Sequence, residues 1–68
     1  MKLYEIPRES RIKAETTNNK GDKIGDFIIF HHLDGMYSYC SIEGKEDKIV
    51  HLSVGQELKK TDDYYELV

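Results

Sequence analysis

The sequence predicts an all-β protein, a small and strongly bent antiparallel barrel of about five strands. Three observations point there. Turn chemistry recurs at intervals of about 8 to 12 residues, the rhythm of a chain of short strands. It is carried by Pro7, "NNKGD" at 18–22, "DG" at 34–35, "EGKED" at 43–47, "VGQ" at 54–56 and "TDD" at 61–63. The segments between the turns are rich in Ile, Val, Tyr, Phe and Thr, which suit a pleated surface. No window keeps apolar residues at i, i+3, i+4 and i+7 long enough for a helix.

The elements follow in order. Met1 to Ile6 forms a short extended segment leading into the turn at Pro7. Strands are expected near 11–17, 23–33, 36–43, 48–53 and 64–68, with 56–60 as a short strand or a single helical turn. Asn18 and Asn19 are turn residues, because their side chains bond local backbone and tolerate left-handed angles.

The central hairpin is the most informative stretch, "FIIFHHLDGMYSYC". Asp-Gly between apolar runs is a strong two-residue hairpin signal. It places Asp34 and Gly35 in the loop at left-handed angles. The expected pairs are Leu33 with Met36, His32 with Tyr37, His31 with Ser38, Phe30 with Tyr39 and Ile29 with Cys40. Alternation puts His31, Ser38 and Cys40 on one face, and Ile28, Phe30, His32, Tyr37 and Tyr39 on the other. Neither face is plainly polar, so one lines the barrel and the other needs a cover. The apolar set Ile28, Phe30, Tyr37 and Tyr39 is larger than monomers usually leave in water, so a two-fold homodimer is expected. The competing cover is the N-terminal segment, through Leu3 and Ile6.

The next hairpin is conditional. With residues 44–47 as the loop, Glu43 pairs with Lys48, Ile42 with Ile49 and Cys40 with His51. That register gathers His31, Cys40 and His51 on one face. A slip of one residue moves His51 to the other side.

Length and charge bound the function. Sixty-eight residues make one domain that buries only about 60% of the surface its unfolded chain exposes. The single cysteine, Cys40, rules out an internal disulfide and fits a reducing cytoplasm. No signal peptide or long apolar run is recognised, so secretion by that route and membrane spanning are not expected. Ten basic against 13 acidic side chains give a net charge of −3. Nucleic-acid binding draws most of its affinity from neutralised phosphates, so this balance weighs against it.

The candidate chemistry is thin. If a metal is bound, His31, Cys40 and His51 are its ligands. No close pair such as CxxC or HxxxH accompanies them, and the expectation is no metal and no cofactor. His31 and His32 are neighbours that a regular strand points to opposite faces, so they cannot chelate one ion together. A Cys–His nucleophile needs a lowered thiol pKa and an oxyanion hole, and the chain offers no helix N-terminus for either. The acid pairs Asp62–Asp63 and Glu46–Asp47 sit in turns, not in the oxygen-rich loop that calcium needs. No catalytic residue is assigned. The five tyrosines are the better lead, since tyrosine suits interfaces. Phe30, His32, Tyr37, Tyr39 and Tyr65 are the expected binding residues.

The opening, "LYEIPRESRIKAE", resembles that of SH3-like barrels: hydrophobic, acid, hydrophobic, turn, then a β-branched strand. There the turn usually carries a glycine where Glu9 stands here. "FHHLDGMYSYC" followed by "VHLSVGQEL" resembles short bacteriophage-encoded proteins. The resemblance implies a cytoplasmic accessory protein that binds a host or phage protein, and it transfers no catalytic residue. An oligonucleotide-binding-type barrel is the second fold expectation. A small-ligand or metal-binding protein using the His31, Cys40 and His51 face is the second functional one.

Overall fold

A computed structural model describes residues 1–17, 20–21 and 23–68, with only the backbone of 15–17, 23, 24 and 26. The turn expected at Asn18, Asn19 and Asp22 lies outside the described residues. The chain is all-β. Its strands are β1 (Arg11–Thr17), β2 (Lys23–Asp34), β3 (Tyr37–Ile42), β4 (Lys45–Val50), β5 (Leu58–Lys60) and β6 (Tyr65–Leu67). Six strands replace the expected five because 56–60 contributes a true strand. Lys45–Val50 is already extended where "EGKED" was expected to turn, since Gly44 completes that turn at a positive φ of 82°.

The strands form one sheet in the order β4-β3-β2-β1-β6-β5. It is mixed, not wholly antiparallel, because β6 lies parallel to β1, with Ile12 opposite Tyr65. Among the described residues β4 and β5 do not pair with each other. No described helix is long and apolar enough to cross a membrane.

The N-terminal segment departs from the extended form expected. Leu3–Glu5 is a 3₁₀ turn, fastened where the Lys2 amide donates to Glu5 Oε1 at 2.6 Å. Around it the chain lies along 54–58. Leu3 N–H donates to Gln56 O at 2.9 Å, and Leu58 N–H to Met1 O at 2.6 Å. This delivers Leu3 and Ile6 into the core with Ile12, Ile28, Phe30, Cys40 and Leu58. Fully burying such an aliphatic or aromatic side chain contributes about 1.5–3 kcal/mol, so the segment is a structural part of this small core.

Both hairpin registers differ from those expected. The turn is Gly35–Met36, flanked by Asp34 opposite Tyr37. Gly35 alone takes positive φ, 68°, which is the geometry of a II′ turn with glycine first. The Asp-Gly signal locates the hairpin but misplaces its loop by one residue. A β-bulge then follows: Phe30 faces Cys40, His32 faces Tyr39, and His31 is the extra residue between. In the next hairpin Ser41 faces Ile49 and Cys40 faces Val50, one residue from the expected pairing. Ile28, Phe30 and Cys40 therefore point inward together.

Beyond β4 the chain stays against β3. Ser38 N–H donates to Leu52 O at 2.7 Å and Val54 N–H to Met36 O at 3.0 Å. The buried Ser38 hydroxyl donates to Leu52 O and accepts from Leu52 N–H, both at 3.0 Å. A serine inside the core is tolerable because its polar atom is satisfied by backbone.

Candidate functional site

The bulge at His31 decides what the outer face of the β2–β3 hairpin looks like. Two residues on β2 oppose one on β3, so the imidazoles of His31 and His32 both reach Tyr39. The His32 ring stacks on Tyr39 with centroids 5.3 Å apart and planes 13° from parallel. His31 lies tilted at 6.3 Å. His51 completes the surround at 5.7 Å, edge to face. All three histidines of the chain thus meet one tyrosine. The expectation that His31 and His32 diverge to opposite faces is corrected, since it assumed an unbroken strand.

Each outer histidine is anchored differently. His51 Nδ1 donates to Ser38 O at 2.9 Å, which fixes the proton on that nitrogen. His31 Nε2 hydrogen-bonds Ser41 Oγ at 2.8 Å, and its Nδ1 lies 3.8 Å from Glu9 Oε1. Glu9 is held in the left-handed region at φ 68°, where a glutamate is uncommon. Its N–H donates to Phe30 O at 2.7 Å, and Phe30 N–H returns a bond to Ser10 O at 2.9 Å. That pair of bonds clamps the turn on the edge of β2 and points the Glu9 backbone where a glycine would be at ease.

Cys40 stands apart from this cluster. It is fully buried on the inner face, with Sγ 3.3 Å from Ser38 Oγ. Burial pushes the thiol pKa up, against smaller lowering influences from the Ser38 hydroxyl and the His31 backbone. The face shared by His31, Cys40 and His51 does not assemble, because the observed register puts Val50 and not His51 opposite Cys40. Among the described residues no three His, Cys, Asp or Glu side chains are placed to hold one metal ion.

The other expected binding residues divide. Phe30 is 3% exposed and belongs to the core, so its placement on a binding surface is corrected. Tyr65 packs half-buried against the same core, with Lys60 Nζ 5.9 Å above its ring. His32 and Tyr37 are exposed, and Tyr39 is exposed at its outer edge. The patch of Ile28, Phe30, Tyr37 and Tyr39 that motivated a homodimer does not exist as one surface. Ile28 and Phe30 face inward, and Leu3 and Ile6 of the same chain cover them.

Two concavities border this cluster, one at Tyr39 and His31 and one at His51. One, about 400 Å³, runs between Glu9 and the β3–β4 turn, with Tyr39 and His31 on one wall. The other, about 390 Å³, is bordered by Asp34, Tyr37 and His51. Sequence reading missed Glu9, Ser41 and Glu46 as parts of the first. The signal available was Glu9, a non-glycine at a position where the resembling turns carry glycine. Beyond this groove the outer face is closed by an ordered chain of contacts. Arg11 makes a bidentate pair with Glu43 at 2.8 and 3.0 Å and lies 4.0 Å above the Phe27 ring, which meets Tyr64 edge-on.

No protein-family model, no curated protein and no solved structure matches this chain.

Proposed function

We propose that this chain is a non-enzymatic binding module that holds a protein partner on the face built round Tyr39. The observation that carries the reading is the exposure of large side chains at the hairpin end beside that face. Met36 is 78% and Tyr37 59% exposed, and Leu33 joins them. Single exposed apolar residues are ordinary, but a run of them beside a ring of aromatic and imidazole groups is interface chemistry. Tyr39 is supported by three rings, so it offers contact area that loses little conformational freedom on binding. The acidic balance favours a protein over a nucleic acid as partner.

An SH3-like arrangement is the finer fold reading we carry. It is supported by six strands that share one core and by the turn at Glu9. The reading of the chain as a phage accessory protein acting in a bacterial cytoplasm rests on the likeness of "FHHLDGMYSYC" and "VHLSVGQEL" alone.

The test is affinity capture from bacterial lysate with the intact chain and with a Met36→Ser, Tyr37→Ala double variant. Both sites are exposed, so the variant keeps its fold, checked by circular dichroism. A protein retained by the native chain and lost with the variant supports the reading. Proteins retained equally by both, or none retained by either, would remove it.

A further inference from the structure

We propose that the groove between Glu9 and the β3–β4 turn receives a lysine or arginine side chain of the bound partner, flanked by aliphatic residues. This rests on the reading of the chain as a protein-binding module and names the partner chemistry of that site.

The groove is two-layered. Ile29 and Ile49 give it an apolar lining, and Tyr39 forms a wall. Three carboxylates share this lining, those of Glu9, Glu43 and Glu46. Among the described residues no lysine or arginine lines it. Glu43 is neutralised by Arg11, and Glu9 has only the long 3.8 Å contact to His31, so the negative charge left for a partner belongs to Glu9 and Glu46, both exposed. A long aliphatic stem ending in a cation matches such a groove: its methylenes lie on the isoleucines while its head stays with the carboxylates. An arginine gains further from the Tyr39 face. A partner carboxylate or phosphate would meet like charge, with no lysine or arginine among the described residues of the lining to pair with.

The arrangement is also continuous with the proposed binding face. Tyr39 walls this groove and meets His51 edge-on, and His51 in turn borders the second concavity with Tyr37. A peptide crossing the Tyr39–His51 pair places an apolar residue on the Tyr37 side and a basic residue on the Glu9 side.

Panning a library of random short peptides against the immobilised chain tests this. Selected peptides should be enriched in Lys or Arg next to aliphatic residues. A fluorescently labelled synthetic copy of the strongest one should bind about 2- to 5-fold more weakly to each of Glu9→Gln and Glu46→Gln, the size expected of exposed charge pairs. Binding should also weaken with salt. Lys59→Gln, at the far end of the sheet, should change nothing. Peptides selected without basic enrichment, or bound equally by the two Gln variants, overturn this inference. If their binding still depends on Met36 and Tyr37, the binding-module reading survives that result. If no peptide is selected at all, both fall.

Discussion

Replacing Glu9 by glycine should make the protein more stable. An L-residue in the left-handed region gives up about 1–2 kcal/mol through its Cβ, and Glu9 sits there at φ 68°. Glycine removes that cost, but it also frees the unfolded chain, which takes back about 0.4–1 kcal/mol. The Glu9–His31 contact is long, 3.8 Å, and exposed on the Glu9 side, so losing it subtracts at most a few tenths. The remainder is a gain of about 0.5–1 kcal/mol. For a domain this small, 1 kcal/mol moves the melting temperature by about 4–8 °C. Glu9→Ala is the control, since it loses the same carboxylate and keeps the Cβ, and it should gain nothing. Thermal unfolding of the three proteins by circular dichroism reads the difference. If Glu9→Gly melts at or below Glu9→Ala, the backbone strain assigned to this turn is not there. A more stable glycine variant that holds cationic peptides less well would show that the strain is retained for the carboxylate.

The remaining predictions are simpler. Leu3→Ala should cost about 2–4 kcal/mol in denaturant unfolding, because its side chain is wholly buried and the cavity cannot be refilled from solvent; an unchanged midpoint would mean the N-terminal turn is not part of the core. Gly35→Val should cost about 1–2 kcal/mol at its positive φ, while Asp34→Ala should be nearly neutral, and equal losses at both would restore the Asp-Gly loop. The Cys40 thiol, its pKa raised by burial, stays protonated in the fold after it would ionise in the unfolded chain. Its contribution is therefore complete below about pH 8.5, the ordinary thiol value, and is lost as pH rises through the higher folded value. Stability measured from pH 7 to 10 should fall more steeply for the native chain than for Cys40→Ala, and parallel curves would refute this.

How far the sequence could be read depends on which interactions set each feature. The strands at 11–17 and 64–68 were legible because residue type and turn punctuation are local. The hairpin was legible for the same reason, through Gly35. Its register was not, because a II′ turn at Gly35–Met36 and an I′ turn at Asp34–Gly35 both suit the stretch Leu33 to Tyr37. Tertiary packing chose between them: only the observed pairing, with its bulge at His31, turns Ile28, Phe30 and Cys40 inward together. The same slip dissolved the expected His31, Cys40 and His51 set and gathered His31, His32 and His51 round Tyr39 instead. The pairing of β1 with β6 had no local sign at all. Leu3 and Ile6 were legible as one of two possible covers, and they are the cover, because the neighbouring 54–58 strip offers backbone hydrogen-bond partners to Met1, Leu3 and Tyr4.

The parallel pairing of β1 with β6 has a consequence for how the chain comes to be folded. The β2–β3–β4 meander contains its own turns and can form while the ribosome is still adding residues. Ile12, at the centre of the core, cannot be enclosed at that stage, since Leu58, Tyr65 and Leu67 are made well after the meander. The nascent chain therefore presents an open, greasy half-sheet until residues 58–67 have been made, and its final closure waits on contacts between segments far apart in sequence. Such distant contacts slow the last step. During that interval the half-sheet is a natural substrate for chaperones and a natural seed for aggregates.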